Sequence, residues 1–451
     1  MIMQTATRRN FLQHGAAATS ALVVPYWLTS RRSRAASANG KLNVASIGVG
    51  GRGTGIGHQA GKLGNMIACA DVNRQHAEKF AAKYEGKCQI YSDYRDILAR
   101  GDVDVITCGT PDHWHTKISI DAMRAGIDVY CEKPLTLTLA ESQHITRAAE
   151  ETGRVLQVGT QQRSEFSQYF IKSVAIAQSG RLGDKLRATC SLGQPNSADM
   201  DSGPFAFQPV PDFMEWDLYL GQAPPVDYCV QRTNYDFRWW LEYSGGQITD
   251  WGVHHTDIAF WALDGMNSNT IEAHGSGLFP GLPDSANIID FLNGREKLPN
   301  QYNVPTEFKC LIELDNGNSI EINNQKNEIL IEGDQGKIRV NRGGLTGKPV
   351  EEIENSPSDT RWLNEEVQKL TRGLPLDNHM LNFFHCIDTR EKPISDLWTH
   401  LSGMNACHMA NIAMLLKRRI VFDCDRYEFR NDAEANQLMS RVQRDPWRTD
   451  T

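Results

Sequence analysis

The chain has 451 residues, 40% of them hydrophobic and 23% charged, with a formal net charge of −8. That length exceeds one core of ordinary size, so two domains are expected. The acidic balance argues against a nucleic-acid partner, and beyond the N-terminus no apolar run is long enough to span a bilayer.

Residues 1–38 read as an export signal. Thr7-Arg8-Arg9-Asn10-Phe11-Leu12 precedes a weakly apolar segment, 15–28, and Ala36-Ser37-Ala38 offers small residues for cleavage. The order resembles a twin-arginine signal, which implies export of the folded, cofactor-loaded protein to the periplasm and no stable membrane insertion after the signal is removed. A disordered basic tail is the plain alternative. Ten cysteines would suit disulfides in an exported protein, yet Cys69, Cys108 and Cys131 fall in apolar strand-like runs, where they read as small hydrophobes. One disulfide among Cys190, Cys229, Cys310, Cys386, Cys407 and Cys424 stays open. No Cys-x-x-Cys occurs, so no structural zinc is expected.

From residue 39 to 160, short apolar runs alternate with amphipathic ones. Strands are predicted at 42–47, 66–70, 103–107, 127–131 and 155–158, and helices at 74–84, 94–99, 115–125 and 139–151. Such alternation indicates βαβ units and a parallel, Rossmann-type α/β sheet. Gly126 and Gly153 stand where helix C-caps belong.

Residues 161–451 read as an α+β domain with a large, mostly antiparallel sheet. A helix is predicted at 165–178 and a strand at 185–192. Segment 199–230 is rich in proline, glycine and aromatics and reads as a long ordered loop. A helix follows at 250–263, then strands at 271–274, 308–314, 319–323, 329–332 and 337–340, with turns at Asp315-Asn316-Gly317-Asn318 and Gly333-Asp334-Gln335-Gly336. A meander of this kind has helices on one face. Its other face should be covered by a second subunit, so a dimer or tetramer is expected. A late helix is predicted at 397–417.

Gly48, Gly50 and Gly53 follow a strand and open a helix, the dinucleotide fingerprint. The glycines make the turn, admit the pyrophosphate and let helix and sheet approach; helix amides then favour the anion. Asp71 ends the second strand, where a carboxylate accepts from ribose hydroxyls and repels a 2′-phosphate. NAD is therefore expected over NADP, with Arg74 able to soften the preference. Thr110-Pro111-Asp112-His113-Trp114-His115 follows the next strand and should line the crevice. His113 and His115 offer metal-ligand chemistry, but beyond the motif itself no further carboxylate or cysteine ligand follows nearby in sequence, so no metal is expected.

Glu132-Lys133-Pro134 closes a further strand and sets an ammonium group at the crevice. Gly245-Gly246 lets the chain pass close to a ligand, and Asp250 and His254 share a helix face, as do Asp257 and Trp261 beyond them. A carboxylate orienting an imidazole gives an acid/base near neutral pH. A structural Asp–His contact is the alternative.

Taken in order, the glycine turn, Thr110-Pro111 with His115, Glu132-Lys133-Pro134 and Asp250-x-x-x-His254 resemble the glucose–fructose oxidoreductase/inositol dehydrogenase (Gfo/Idh/MocA) family. The resemblance implies NAD(P) chemistry on a sugar, polyol or derivative. It places Lys133, Asp250 and His254 in the catalytic centre. It puts Gly48, Gly50, Gly51, Arg52, Gly53, Asp71, Thr110, Pro111, His115, Glu132 and Lys133 at the cofactor. Gln162 and Arg163, in a segment matching the family only loosely, and His255 fall on the substrate side. The insertion carrying Arg232, Arg238, Trp239 and Trp240 departs from the family. Arginines among aromatic faces suit a carbohydrate or acidic-sugar pocket, with Arg238 and Trp239 as contacts, and suit ordinary packing equally. The rival function is a glycosidase or lyase that oxidises a sugar hydroxyl, eliminates the substituent and reduces back on a retained NAD. A non-catalytic nucleotide-binding scaffold is disfavoured by Lys133, Asp250 and His254 occurring together.

Overall fold

The computed structural model describes residues 40–195, 200, 202–376 and 378–451. The twin-arginine segment lies outside them. Among the described residues no helix is long and apolar enough to cross a membrane.

Six strands, β1 (Asn43–Ile47), β2 (Asn65–Ala70), β3 (Gln89–Tyr91), β4 (Val105–Cys108), β5 (Asp128–Cys131) and β6 (Leu156–Val158), form a sheet in the order β3-β2-β1-β4-β5-β6. Every neighbouring pair is parallel. Helices cover both faces, so β4 and β5 are buried at every residue, as a two-sided parallel sheet requires. The strand order reverses between β1 and β4, and a ligand crevice opens beyond the carboxyl ends of these two strands. The sequence pattern missed β3, three residues with little burial and no alternation. Local signals set the helices. Thr138 caps Leu139–Thr152 by accepting from the Glu141 amide, and Gly153 ends it at φ 59°.

The second sheet has nine strands. In chain order they are β7 (Arg187–Ser191), β8 (Thr270–Leu278), β9 (Glu307–Leu314), β10 (Ser319–Asn323), β11 (Glu328–Glu332), β12 (Lys337–Asn341), β13 (Gly344–Thr346), β14 (Ile420–Asp423) and β15 (Glu428–Phe429). Their spatial order is β13-β12-β11-β7-β10-β9-β8-β14-β15. The expected meander is interrupted, because β7 slots between β10 and β11 and runs parallel to β10. The link from Asn323 to Glu328 can do this: four residues reach about 13 Å, enough to cross two strand spacings of roughly 4.8 Å.

Ile320, Ile322, Ile329, Ile331, Ile338 and Val340 are fully buried in one core with the helices Tyr169–Gln178, Gly252–Ala262 and Leu397–Leu415. The opposite face carries cross-strand charge pairs, including Lys309–Glu321 at 3.2 Å and Arg339–Glu328 at 2.7 Å. Exposed pairs of this kind add little stability. All ten cysteines are free, which closes the disulfide question for this fold.

Candidate active site

One cavity of about 1040 Å³ runs along the crevice, from Gly48, Gly50, Arg52 and Asp71 at one end to Lys133, Asp250 and His254 at the other. Its first end is made by backbone. Gly48 has φ 71°, and a Cβ there would lie 2.6 Å from Thr110. A Cβ on Gly53 would lie 1.7 Å from the Gly48 carbonyl oxygen. Only glycine fits either place. The Gly51–Leu63 helix starts without a side-chain cap at Gly50, so its first amides are not taken by a capping side chain.

Asp71 Oδ2 accepts from the Val49 amide at 2.8 Å, and Oδ1 accepts from the Asn73 amide at 2.8 Å. Lone pairs remain for ribose hydroxyls. Glycine turn, uncapped helix start and acidic strand end together fit a dinucleotide. Arg74, expected to temper the cofactor preference, lies outside the cavity lining and pairs with Glu78 at 3.7 Å. His76 stands there instead, its Nδ1 3.6 Å from Asp71 Oδ2, and the Asp71 carboxylate raises its pKa.

Glu132 links the two ends of the crevice. Its Oε1 accepts from Arg52 Nε at 2.8 Å and from Gln161 Nε2 at 3.1 Å. Next to it, Lys133 Nζ donates to Asp250 Oδ1 at 2.5 Å and to the Asp250 carbonyl at 2.7 Å. Arg238 Nε reaches the same Oδ1 at 3.1 Å. Burial opposes ionisation of Asp250, but the Lys133 and Arg238 charges win and hold its pKa well below the usual carboxylate range. Lys133 keeps one of its three N–H donors for a ligand.

His254 lines the same end and is buried, with no hydrogen-bond partner for Nδ1 among the described residues. Burial, then the nearby Lys133 and Arg342 charges, push its pKa well down, so the imidazole is neutral and able to accept a proton. The predicted continuous helix breaks at Trp251, between Gln247–Asp250 and Gly252–Ala262. Asp250 bonds Lys133 and Arg238, and the expected Asp250–His254 hydrogen bond is not among its contacts.

Thr110, Pro111 and His115 line the crevice as expected. The fold does bring cysteines to His115: ligand atoms of Cys108, His115 and Cys131 lie within 4.8 Å of one another. Both His115 ring nitrogens, however, face carbonyl oxygens, Pro134 at 2.8 Å and Thr110 at 2.9 Å, which leaves neither directed at a metal. His113 instead holds the insertion, its Nε2 at 2.9 Å from the Tyr219 carbonyl.

Of the residues placed on the substrate side, Arg238 lines the cavity; Gln162, Arg163, Trp239 and His255 do not. Arg163 is 2% exposed, pairs with Asp257 at 2.6 Å and stacks on Trp261. Three residues past His254, Asp257 lies about 4.5 Å farther along the helix, deeper in the core. Breaking this buried pair from one side should cost about 3–5 kcal/mol. Trp239 and Trp240 are fully buried, and Arg232 packs on Trp240 while pairing with Glu242 at 3.0 Å. Gly245 and Gly246 approach Thr249 and Val304, protein atoms and not the cavity.

Other lining residues carried no strong sequence signal. The insertion supplies a whole wall, including Phe213, Met214, Tyr228, Tyr235 and Phe237. Its main chain is tied behind Asp71: Arg74 N donates to the Phe213 carbonyl and Glu215 N to the Val72 carbonyl, both at 2.9 Å. Asp112 sits in the lining, accepts from Ser244 Oγ at 2.5 Å, and is pushed up to about 7 by burial. Arg342 enters from the turn between β12 and β13.

Residues 42–160 match the oxidoreductase family's NAD-binding Rossmann fold. Residues 180–275 and 306–449 match the same family's C-terminal alpha/beta domain. The chain belongs to the Gfo/Idh/MocA oxidoreductase family. Within it, inositol 2-dehydrogenase of Gluconacetobacter diazotrophicus is 32% identical over 229 residues, 49% of this chain and 55% of that protein. Inositol 2-dehydrogenase 4 of Saccharopolyspora erythraea is 31% identical over 157 residues, 34% of this chain and 46% of its own. The chain thus spans about half the length of the curated relatives it matches. The fold is shared with Lactobacillus casei myo-inositol dehydrogenase, solved with NAD(H) and myo-inositol, at TM-score 0.55 and 15% identity, covering 85% of this chain and 97% of that one. It is shared likewise with the WlbA dehydrogenase of Chromobacterium violaceum, solved with NADH and UDP-GlcNAcA, at TM-score 0.58 and 16% identity, with the same coverages of 85% and 97%.

Proposed function

We propose that this family member is an NAD-dependent oxidoreductase acting on a CH–OH group of a sugar, polyol or derivative. One observation carries the reading: Lys133, Asp250 and the neutral His254 converge at the end of a cavity whose other end is the glycine turn and Asp71. Bound NAD would supply the hydride acceptor, held by Gly48–Gly53, Asp71 and Thr110. His254 takes the hydroxyl proton, and the remaining Lys133 N–H faces the developing alkoxide. Asp250 keeps Lys133 charged and aimed. Asp71 disfavours a 2′-phosphate, hence NAD over NADP. The curated inositol dehydrogenases support a polyol or sugar as substrate.

The test is direct. Purified protein is assayed for bound NAD(H), then incubated with sugars and polyols while reduced nicotinamide is followed by absorbance. A protein that neither holds nor binds NAD sinks the reading.

Asp112 favours a second reading. A buried carboxyl pushed up to about 7 in the same cavity is a proton donor for a leaving group, as an oxidation–elimination–reduction glycosidase or lyase needs. Release of nitrophenol from aryl glycosides, with no net NADH, would select it. We further propose export through residues 1–38 and assembly as a dimer or tetramer. A reporter fused to residues 1–38 should reach the periplasm only with Arg8 and Arg9 intact, and export of a double-lysine variant would remove the claim. Light scattering of the purified protein reports its mass.

A further inference from the structure

We infer that the substrate carries an oxyanion, a carboxylate or sulfate ester on the sugar, and that Arg342 receives it. The inference rests on the substrate entering the cavity as proposed above. Arg342 stands beyond the end of β12 with its guanidinium carbon 4.6 Å from the Trp251 ring centre and 4.8 Å from that of Phe166. The two rings hold the guanidinium without neutralising it. Among the described residues, Arg342 touches these two rings and makes no ion pair or hydrogen bond, and Glu165, Glu132 and Asp250 act on it only through their charge.

Its neighbours in the cavity are differently placed. Arg52 is committed to Glu132, and Lys133 and Arg238 share the single carboxylate of Asp250. The cavity lining holds four cations, Arg52, Lys133, Arg238 and Arg342, and the carboxylates Asp71, Glu132, Glu165 and Asp250, with Asp112 pushed toward its neutral form; Asp71 stands at the cofactor end on the Val49 and Asn73 amides, and none of these carboxylates forms an ion pair with Arg342. Burial and the Arg52 charge both work against Arg342's positive charge, so an incoming oxyanion relieves an unfavourable arrangement. A planar fork of donors against a carboxylate or sulfate is the geometry that guanidinium recognises best.

Position favours the substrate over the cofactor as the source of the anion. Trp251, on which Arg342 stacks, has its ring centre 5.8 Å from that of His254. The guanidinium is thus one ring away from the acid/base. The open helix amides that suit a pyrophosphate begin at Gly51.

The experiment uses the NAD-loaded full chain, with D-glucose, D-glucuronate and D-glucose 6-sulfate as probes. Affinity is measured by calorimetry and reduced cofactor by absorbance, for wild type, Arg342→Gln and Arg342→Lys. Wild type should bind one of the anionic sugars at least tenfold more tightly than glucose. Arg342→Gln should erase that advantage, a loss of roughly 10- to 100-fold, and Arg342→Lys should keep part of it. NAD affinity and melting temperature should hold. Equal affinity for neutral and anionic sugars, or no binding of either anion, overturns the inference. So does a matching loss of NAD affinity in Arg342→Gln, which would assign the arginine to the pyrophosphate. Oxidation of glucose with no preference for the acids would fell the inference and leave the redox reading standing. Arginine-dependent binding of an anion without any reduced cofactor would do the reverse.

Discussion

The two ends of the cavity are built in opposite ways. The cofactor end uses backbone from one short stretch: the Gly48–Gly53 turn, the Gly51–Leu63 helix start, and Asp71 anchored on the Val49 and Asn73 amides. The reacting end uses the side chains of Lys133, Arg238, Asp250, His254 and Arg342, drawn from three separate stretches of the chain. The difference teaches where function can be lost without loss of fold. Backbone cradles tolerate side-chain change except at glycine. A side-chain cluster loses its chemistry one group at a time.

The strongest test of that contrast is Lys133→Met. It removes a charge and three donors while keeping length. Loss of one charge-assisted contact at a developing alkoxide should cost about 3–4 kcal/mol, so kcat should fall roughly 10²- to 10³-fold. NAD affinity should persist, since the other end is untouched. Steady-state kinetics and cofactor titration on one preparation separate the two. A near-normal kcat would show that the catalytic centre lies elsewhere.

The cofactor end responds to Asp71→Ala in selectivity. Two backbone amides lose their acceptor, and a 2′-phosphate loses its repulsion. The ratio of NADP to NAD affinity should rise about tenfold or more, as expected for about 1.5–3 kcal/mol in a charged hydrogen bond. His76 adds a pH dependence. Its pKa is raised by Asp71, so NADP should be tolerated better at low pH, where the imidazolium offsets the carboxylate. Competition binding at two pH values reads both effects. Unchanged selectivity would detach Asp71 from the ribose.

The smallest effect concerns stability. Asp112 has a folded pKa raised to about 7, against a usual value of 3.8. Its contribution is fully present below about pH 4 and is lost as pH rises through about 7. Asp112→Asn cannot ionise, so its melting temperature should gain on wild type between pH 5 and pH 8. A difference between the two proteins that is flat with pH would place that titration elsewhere.

What could be read beforehand follows the same division. Five of the six strands of the first sheet were legible, all but the short β3, because those strands, their turns and their helix caps are decided within a few residues; Gly48, Gly53 and Gly153 announce their own backbone. The second sheet was less so. Nothing local says that β7 separates β10 from β11, since that choice depends on pairing between segments more than a hundred residues apart. The same holds for side chains. Arg238 and Trp239 are adjacent, yet a 3-10 turn over Asp236–Trp239 sends one to the cavity and the other into the core. Arg163 looked like a substrate contact because its partner, Asp257, is visible only in three dimensions. Arg342 sits at a hairpin tip among glycines, and nothing in its neighbourhood marks it.

The insertion wall bears on time as much as on shape. Its main chain is bonded to Val72 and Arg74, directly behind Asp71, and its other side is clamped by Arg444, which pairs with Asp217 at 2.7 Å and donates its amide to the Gln222 carbonyl at 3.2 Å. An adenosine seated at Asp71 is therefore roofed by a segment fixed at both edges, so the dissociation rate of NAD should be set by how often this roof opens. Slow exchange would leave one cofactor molecule serving many turnovers, with the substrate, and not a fresh nucleotide, resetting its oxidation state.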